Sequence, residues 1–148
     1  MQEEYKKAYE GLIKFAALRP RSQKEIDNWF KRKKVSEALR DKLVGRLKDL
    51  DLLDDRRFAA WWVEQRQYFK PRGGRLLSFE LKSKGVDKSI IDDVLAGIEI
   101  DEAVVAKKLV EKNAHKWARF DDRKKQEKMI SFLQRKGFGW DAIKDVVK

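Results

Sequence analysis

The amino-acid sequence predicts an all-α protein, built as a tandem array of three three-helix repeats that form an elongated, curved body. Three observations lead there. Apolar residues recur with the 3.6-residue period of a helix, and no stretch alternates polar with apolar long enough to make a strand. Capping and breaking residues divide the chain into short helical pieces. A helix-ending motif returns three times at nearly constant spacing.

Taken in chain order, the first helix runs from about Glu3 to Leu18 and is closed by Pro20. Ser22 opens a second, and Glu25 three residues on completes a capping box, in which each residue satisfies a backbone donor of the other. Ser36 opens a third, which runs to about Leu50. From Asp54 to Lys70, Phe58, Trp61, Trp62, Tyr68 and Phe69 share one side, with Arg56, Arg66 and Lys70 opposite. Asp54 and Asp55 precede this helix, where negative charge stabilises the N-terminus. Pro71, Gly73 and Gly74 then form a break that is expected to be flexible. From Asp101 to Arg119 the apolar stripe is Ala103, Ala106, Val110, Ala114 and Trp117, and Lys108, Lys112, His115 and Arg119 stack on the far face. Trp29, Trp61, Trp62, Trp117 and Trp140 all fall in apolar stripes and are expected in the core, with Trp61 or Trp62 partly exposed.

The recurring motif is Leu81-Lys82-Ser83-Lys84-Gly85-Val86, matched by Leu133-Gln134-Arg135-Lys136-Gly137-Phe138 at an offset of 52. An earlier copy is Phe30-Lys31-Arg32-Lys33-Lys34-Val35, at an offset of 51. In each a helix ends in basic residues that suit its negative end. A glycine then takes the left-handed position, and an apolar residue packs back on the helix. Lys34 stands where the other copies have glycine, so that helix end must be strained or differently shaped. The expected division is 1–53, 54–99 and 100–148. Units this small cannot each bury a full core and must stack on their neighbours.

The chemistry available is narrow. In 148 residues there is no Cys and one His, which leaves almost no material for a nucleophile–base pair or a zinc site. Gly73-Gly74 is too short for a phosphate-binding loop and lacks its Lys-Ser/Thr. Asp54-Asp55 and Asp92-Asp93 are adjacent on helices and point about 100° apart, which suits capping better than metal binding. No catalytic residue, cofactor or metal is therefore expected. The N-terminus lacks a basic, then apolar, leader pattern, and no long apolar run occurs, so a soluble cytosolic protein without a membrane partner is expected.

Charge is the stronger signal. Lys and Arg number 36 against 25 Asp and Glu, a net charge of +11, with a pI near 9.8. Such a surface attracts polyanions at long range. The charge is also segregated. Arg56 to Lys84 holds eight basic residues against Glu64 and Glu80, and Lys107 to Lys136 holds eleven against four acids. Between them, Val86 to Glu102 has six acids and only Lys88. The candidate binding residues are Arg56, Arg66, Lys70, Arg72 and Arg75, then Lys108, Lys112, Arg119, Arg123, Lys124 and Lys125.

Leu52-Leu53-Asp54-Asp55-Arg56-Arg57-Phe58-Ala59 resembles the Leu-Asp-Asp-x-Arg-Phe-Ala hallmark of the bacterial RecX family. Gly73, Leu77, Glu80-Leu81 and Lys84-Gly85-Val86 follow in that family's order, as do Arg19-Pro20-Arg21-Ser22 with Glu25 before them and Arg135-Lys136-Gly137-Phe138 after. The resemblance runs from about Leu12 to the C-terminus. Asp51, Lys34 and Gly74 depart from it, standing where the family has Gly, Gly and Pro. It implies a crescent of three repeats, without catalysis or cofactor, lodged in the deep groove of the RecA–DNA filament. There it would restrain strand exchange, ATP hydrolysis and co-protease activity, with weaker, largely sequence-independent binding of single- and double-stranded DNA. A monomer is expected.

Two alternatives stay open. One is a stand-alone DNA-binding protein using Ser22–Leu50 as a helix-turn-helix, although Arg40, Lys42 and Arg46 come with little Asn or Gln for reading bases. The other is a helical-repeat scaffold for an acidic protein partner.

Overall fold

The computed structural model describes residues 2–98 and 101–147. Among them are nine α-helices, one 3₁₀ turn and no strand, so the chain is all-helical. The helices are α1 (Gln2–Leu18), α2 (Gln23–Arg32), α3 (Glu37–Asp49), α4 (Asp55–Phe69), α5 (Gly74–Ser83), α6 (Lys88–Ala96), α7 (Glu102–Asn113), α8 (Asp122–Arg135) and α9 (Trp140–Val146). No helix among the described residues is long and apolar enough to cross a membrane. The backbone forms two compact units, Met1–Trp62 with Leu81–Val94, and Val63–Glu80 with Leu95–Lys148. Their limits fall inside α4, α5 and α6, while the repeat boundary expected between 99 and 100 lies outside the described residues.

In the first unit α1, α2 and α3 close on one core. Leu39, Leu43 and Leu47 line a single face of α3 at four-residue spacing and meet Leu12 and Ala16 of α1 and Ile26, Trp29 and Phe30 of α2. The capping box forms as expected: Ser22 Oγ accepts from the Glu25 N–H at 3.2 Å, and Glu25 Oε1 accepts from the Ser22 N–H at 3.1 Å. Ser36 sits at the start of α3, but its hydroxyl makes no capping bond.

In the second unit α7, α8 and α9 bury Ala106, Val110, Trp117, Leu133, Phe138 and Ile143 together. One expectation is corrected here: the helix from Asp101 does not continue to Arg119. The Asn113 side chain donates to the Leu109 carbonyl at 2.7 Å, competing for the acceptor of its own N–H. The chain then tightens into a 3₁₀ turn, Ala114–Trp117. Trp117 still reaches the core, Ala114 is exposed, and Arg119 lies beyond the helix.

The recurring motif is a helix stop made four times. After α2, α3, α5 and α8, the residues Lys34, Asp51, Gly85 and Gly137 adopt φ of 55°, 58°, 80° and 87°. In each, the next N–H reaches back to the carbonyl five residues before it: Val35 to Phe30 (3.0 Å), Leu52 to Leu47 (2.8 Å), Val86 to Leu81 (3.1 Å) and Phe138 to Leu133 (3.1 Å). This bond satisfies an orphan carbonyl, and the two apolar side chains it joins seal the end. Lys34 therefore keeps the shape of its glycine counterparts and carries the strain. Lys34→Gly is expected to stabilise the chain by roughly 0.5–1 kcal/mol, because relief of the left-handed side chain exceeds the extra entropy glycine loses on folding. An unchanged or lower thermal midpoint would count against this.

Candidate basic binding surface

The Leu52–Ala59 segment carries the sequence resemblance, and its side chains build the fold. Leu53, Phe58 and Ala59 are buried. Asp54 Oδ1 accepts from the N–H groups of Arg56 (2.9 Å) and Arg57 (3.3 Å), capping α4 as expected. Asp55 does something the sequence did not announce. Its Oδ1 accepts from the Gln23 N–H at 2.8 Å, capping α2 from 32 residues away. The second unit repeats the device, with Glu102 Oε1 accepting from the Gly74 N–H at 2.7 Å at the start of α5. A carboxylate in the first turn of one helix thus caps an earlier helix, twice.

Burial pushes the Asp55 carboxyl above its ordinary range. The Gln23 N–H opposes the rise, and Asp87, Asp54 and Asp27 add to it. Burial acts on Glu25 in the same sense but is outweighed. The Arg19 hydrogen bond, the Ser22 N–H and the charges of Arg19 and Lys84 hold Glu25 below the usual range.

The structure separates the candidate basic residues into two kinds. Some are engaged with acids inside their own unit. In the first unit Arg56 lies 3.2 Å from Asp93, an exposed pair. In the second unit Arg72 Nη1 sits 2.5 Å from Glu80 Oε2, and its side chain is only 12% exposed. Arg72 Nε also donates to the Lys70 carbonyl at 2.9 Å, and its own carbonyl accepts from Gln67 at 2.9 Å. The same Glu80 oxygen is 3.9 Å from Arg66 Nε, where both side chains are largely covered. Arg66 and Arg72 therefore flank one carboxylate and lock the turn after α4. Reversing the charge at Arg66 would set two carboxylates against each other at this point.

The others face solvent. Lys70 and Arg75 are exposed, as are Lys108, Lys112, Arg119 and Lys124, with Lys125 half-buried. Arg123 is exposed and lies 3.6 Å from Glu127 one turn on, a pair of small energetic weight. Among the described residues no carboxylate pairs with Lys108, Lys112, Arg119, Lys124 or Lys125. The α7–α8 region also supplies Lys107, Lys116 and Lys128, exposed cations that the sequence counted without singling out. Arg119 and Lys128 lie over the Phe120 ring, 4.8 and 5.6 Å from its centroid. Phe120, with a cation beside it and another eight residues on, is the signal that would have flagged Lys128.

A sequence model described as the second three-helix domain of RecX matches residues 54–95, and one described as the third matches residues 100–147. The regulatory protein RecX of Chlorobium phaeobacteroides (strain BS1) is 35% identical over 142 residues, covering 96% of this chain and 92% of that one. The chain belongs to the RecX family. It also resembles the regulatory protein RecX of Bacillus subtilis (strain 168), 32% identical over 142 residues, but spans only 54% of that protein's length. The crystal structure of RecX from Lactobacillus salivarius shares the fold, with a TM-score of 0.85 at 24% identity over 99% of this chain and 96% of that one.

Two expectations about this RecX chain are corrected by the structure. Tyr68 and Phe69 are 81% and 68% exposed although they were placed on the apolar stripe of α4. They occupy the last two positions of that helix and stack on each other edge to face, with centroids 4.8 Å apart. Trp140 is 56% exposed at the first position of α9. Trp29, Trp62 and Trp117 are buried, and Trp61 is the partly exposed member of its pair. At the glycine break Gly73 is buried, and its N–H donates to the Lys136 carbonyl at 2.7 Å.

Proposed function

We propose that this chain binds the RecA–DNA filament and restrains RecA's strand exchange, ATP hydrolysis and co-protease activity. It would act in the cytosol as a monomeric regulator without catalysis of its own, and bind single- and double-stranded DNA more weakly. The three sequence repeats, 1–53, 54–99 and 100–148, would be its building units. The observation that carries this reading, beside membership of the family, is the run of exposed cations on α7 and α8 that no carboxylate of the described residues neutralises. Cations already held by an acid contribute little to a polyanion. Unpaired ones release phosphate counterions or meet acidic side chains directly. Candidate contacts in this sense are Lys70, Arg75, Lys108, Lys112, Arg119, Lys124 and Lys125. Arg56, Arg66 and Arg72 are already engaged with carboxylates of their own units, and Arg123 is shared with Glu127.

RecA's DNA-dependent ATP hydrolysis, followed with increasing amounts of this chain, tests the reading. Inhibition is expected at well below one molecule per RecA, since a filament regulator acts on many subunits at once. Inhibition only at amounts that cover the DNA would indicate competition for bare DNA. None at all with a matched RecA would overturn the proposal.

A further inference from the structure

Within the first unit, α1 and the end of α2 enclose a cleft of about 590 Å³, the size of a small-molecule site. Its floor is Ala8, Gly11, Trp29 and Val35. Gly11 brings α1 close to the indole, since a Cβ there would stand 3.2 Å from Trp29 Cζ2. Lys7 and Lys14, two turns apart on one face of α1, line it together with Lys33 and Lys34 of the stop after α2. All four lysines are exposed. Glu4 and Glu10 line the cleft too, but among the described residues no carboxylate pairs with any of the four. The cleft between α1 and α3 differs, setting Asp41 and Asp49 against Lys42 and Arg46. A second observation concerns the backbone of Lys34. Its φ of 55° is the conformation that the equivalent stops give to Gly85, Gly137 and Asp51, and an aspartate's short polar side chain tolerates it. A lysine has no such relief. Nor does the negative end of α2 require it, because Lys31 and Arg32 already serve its last turn. A strained residue that adds a cation to a cleft without need of the fold points to a ligand.

We propose that this cleft binds a nucleoside polyphosphate, with the ring against the apolar floor and the phosphates among Lys7, Lys14, Lys33 and Lys34. Lysine ammoniums bind phosphate as point charges, and four of them against two glutamates leave the cleft in want of an anion. One phosphate would not engage so many cations, whereas a chain of phosphates would. The floor then has to be covered by something apolar and flat, because the bare backbone of Gly11 and the indole beside it leave no projecting side chain. The site belongs to a different unit from the α7 and α8 cations. The inference therefore stands apart from DNA or RecA being a partner of this chain.

Calorimetric titration of the full chain with adenosine triphosphate, without RecA or DNA, tests this. Saturable binding of one nucleotide per chain is expected, and inorganic triphosphate, which lacks the ring, should bind about tenfold more weakly. Lys34→Gly is the most telling variant, because its two effects run in opposite directions. The thermal midpoint should rise as the strain is relieved, while affinity should fall by roughly tenfold with the loss of one charge-assisted hydrogen bond. Lys7→Met should weaken binding to a similar degree. Lys6→Met removes the same charge from an exposed position of α1 outside the cleft, and should change affinity by less than about twofold. No saturable binding, no greater loss in Lys34→Gly than in Lys6→Met, or equal affinity for inorganic triphosphate would each overturn the proposal. So would displacement of the nucleotide by an oligothymidylate whose own affinity falls with Lys34→Gly, since the lysines would then hold the phosphates of a strand.

Discussion

Replacing Gly73 with alanine is expected to destabilise the second unit by roughly 3 kcal/mol or more, a loss of about 10 °C in thermal midpoint. The added Cβ would lie 2.3 Å from the Gly137 oxygen, 2.4 Å from its carbonyl carbon and 2.6 Å from the Phe138 nitrogen. All three are backbone atoms that cannot turn aside. Moving the strands of chain apart would break two hydrogen bonds, Gly73 N–H to Lys136 and Arg75 N–H to Gly137, at 2.7 and 3.1 Å. Gly137→Ala meets the same junction from the other side. Its Cβ would stand 2.4 Å from the Leu76 nitrogen, and its φ of 87° strains any side chain. Gly74→Ala is the control. There the Cβ meets only the end of the Glu102 side chain, at 3.1 Å, and a change of less than about 1 kcal/mol is expected. Thermal and urea unfolding of the three variants would decide it. Equal midpoints for Gly73→Ala and Gly74→Ala would show that the junction is not rigid.

That junction also shows what the sequence could and could not convey. The offset of 52 between Gly85 and Gly137 was readable as two equivalent helix stops, and both adopt the left-handed conformation. Their packing partners share the offset: a Cβ on Gly85 would press on Lys24, and one on Gly137 on Leu76. Helix phase marked the side chains that each stop and each capping box need. It could not give the partner of Asp55, because a cap is sought within a few residues of its own helix and Gln23 is 32 away. Nor could phase reveal whether anything lies opposite a helix face. Phe69 keeps the phase of the buried Phe58 and Trp62, yet it stands on the last residue of α4 and is exposed. For the basic residues the limit is electrostatic. Arg72 and Arg75 look alike in sequence, and only the position of Glu80 makes one of them part of the fold.

That distinction sets the prediction of largest functional effect. Lys108→Glu, Lys112→Glu and Lys124→Glu together are expected to weaken DNA binding by roughly 100-fold near physiological salt and to raise the amount of protein needed to inhibit RecA. Each phosphate contact contributes close to one unit to the slope of log affinity against log salt. Losing three should lower that slope by nearly three, and reversal adds repulsion to the loss. The fold should tolerate the change. All three side chains are exposed, none is paired with a carboxylate of the described residues, and a glutamate at 124 falls in the first turn of α8, where negative charge is favoured. A second triple, Lys6→Glu, Lys42→Glu and Lys48→Glu on α1 and α3, changes net charge by the same amount at exposed positions of the other unit. It should cost only a few-fold in affinity, because a charge outside the contact is screened beyond about 8 Å at this ionic strength. Matching losses in the two triples would mean that overall charge alone governs binding. A loss confined to the α7–α8 triple, with a shallower salt slope, would place the contact on that face.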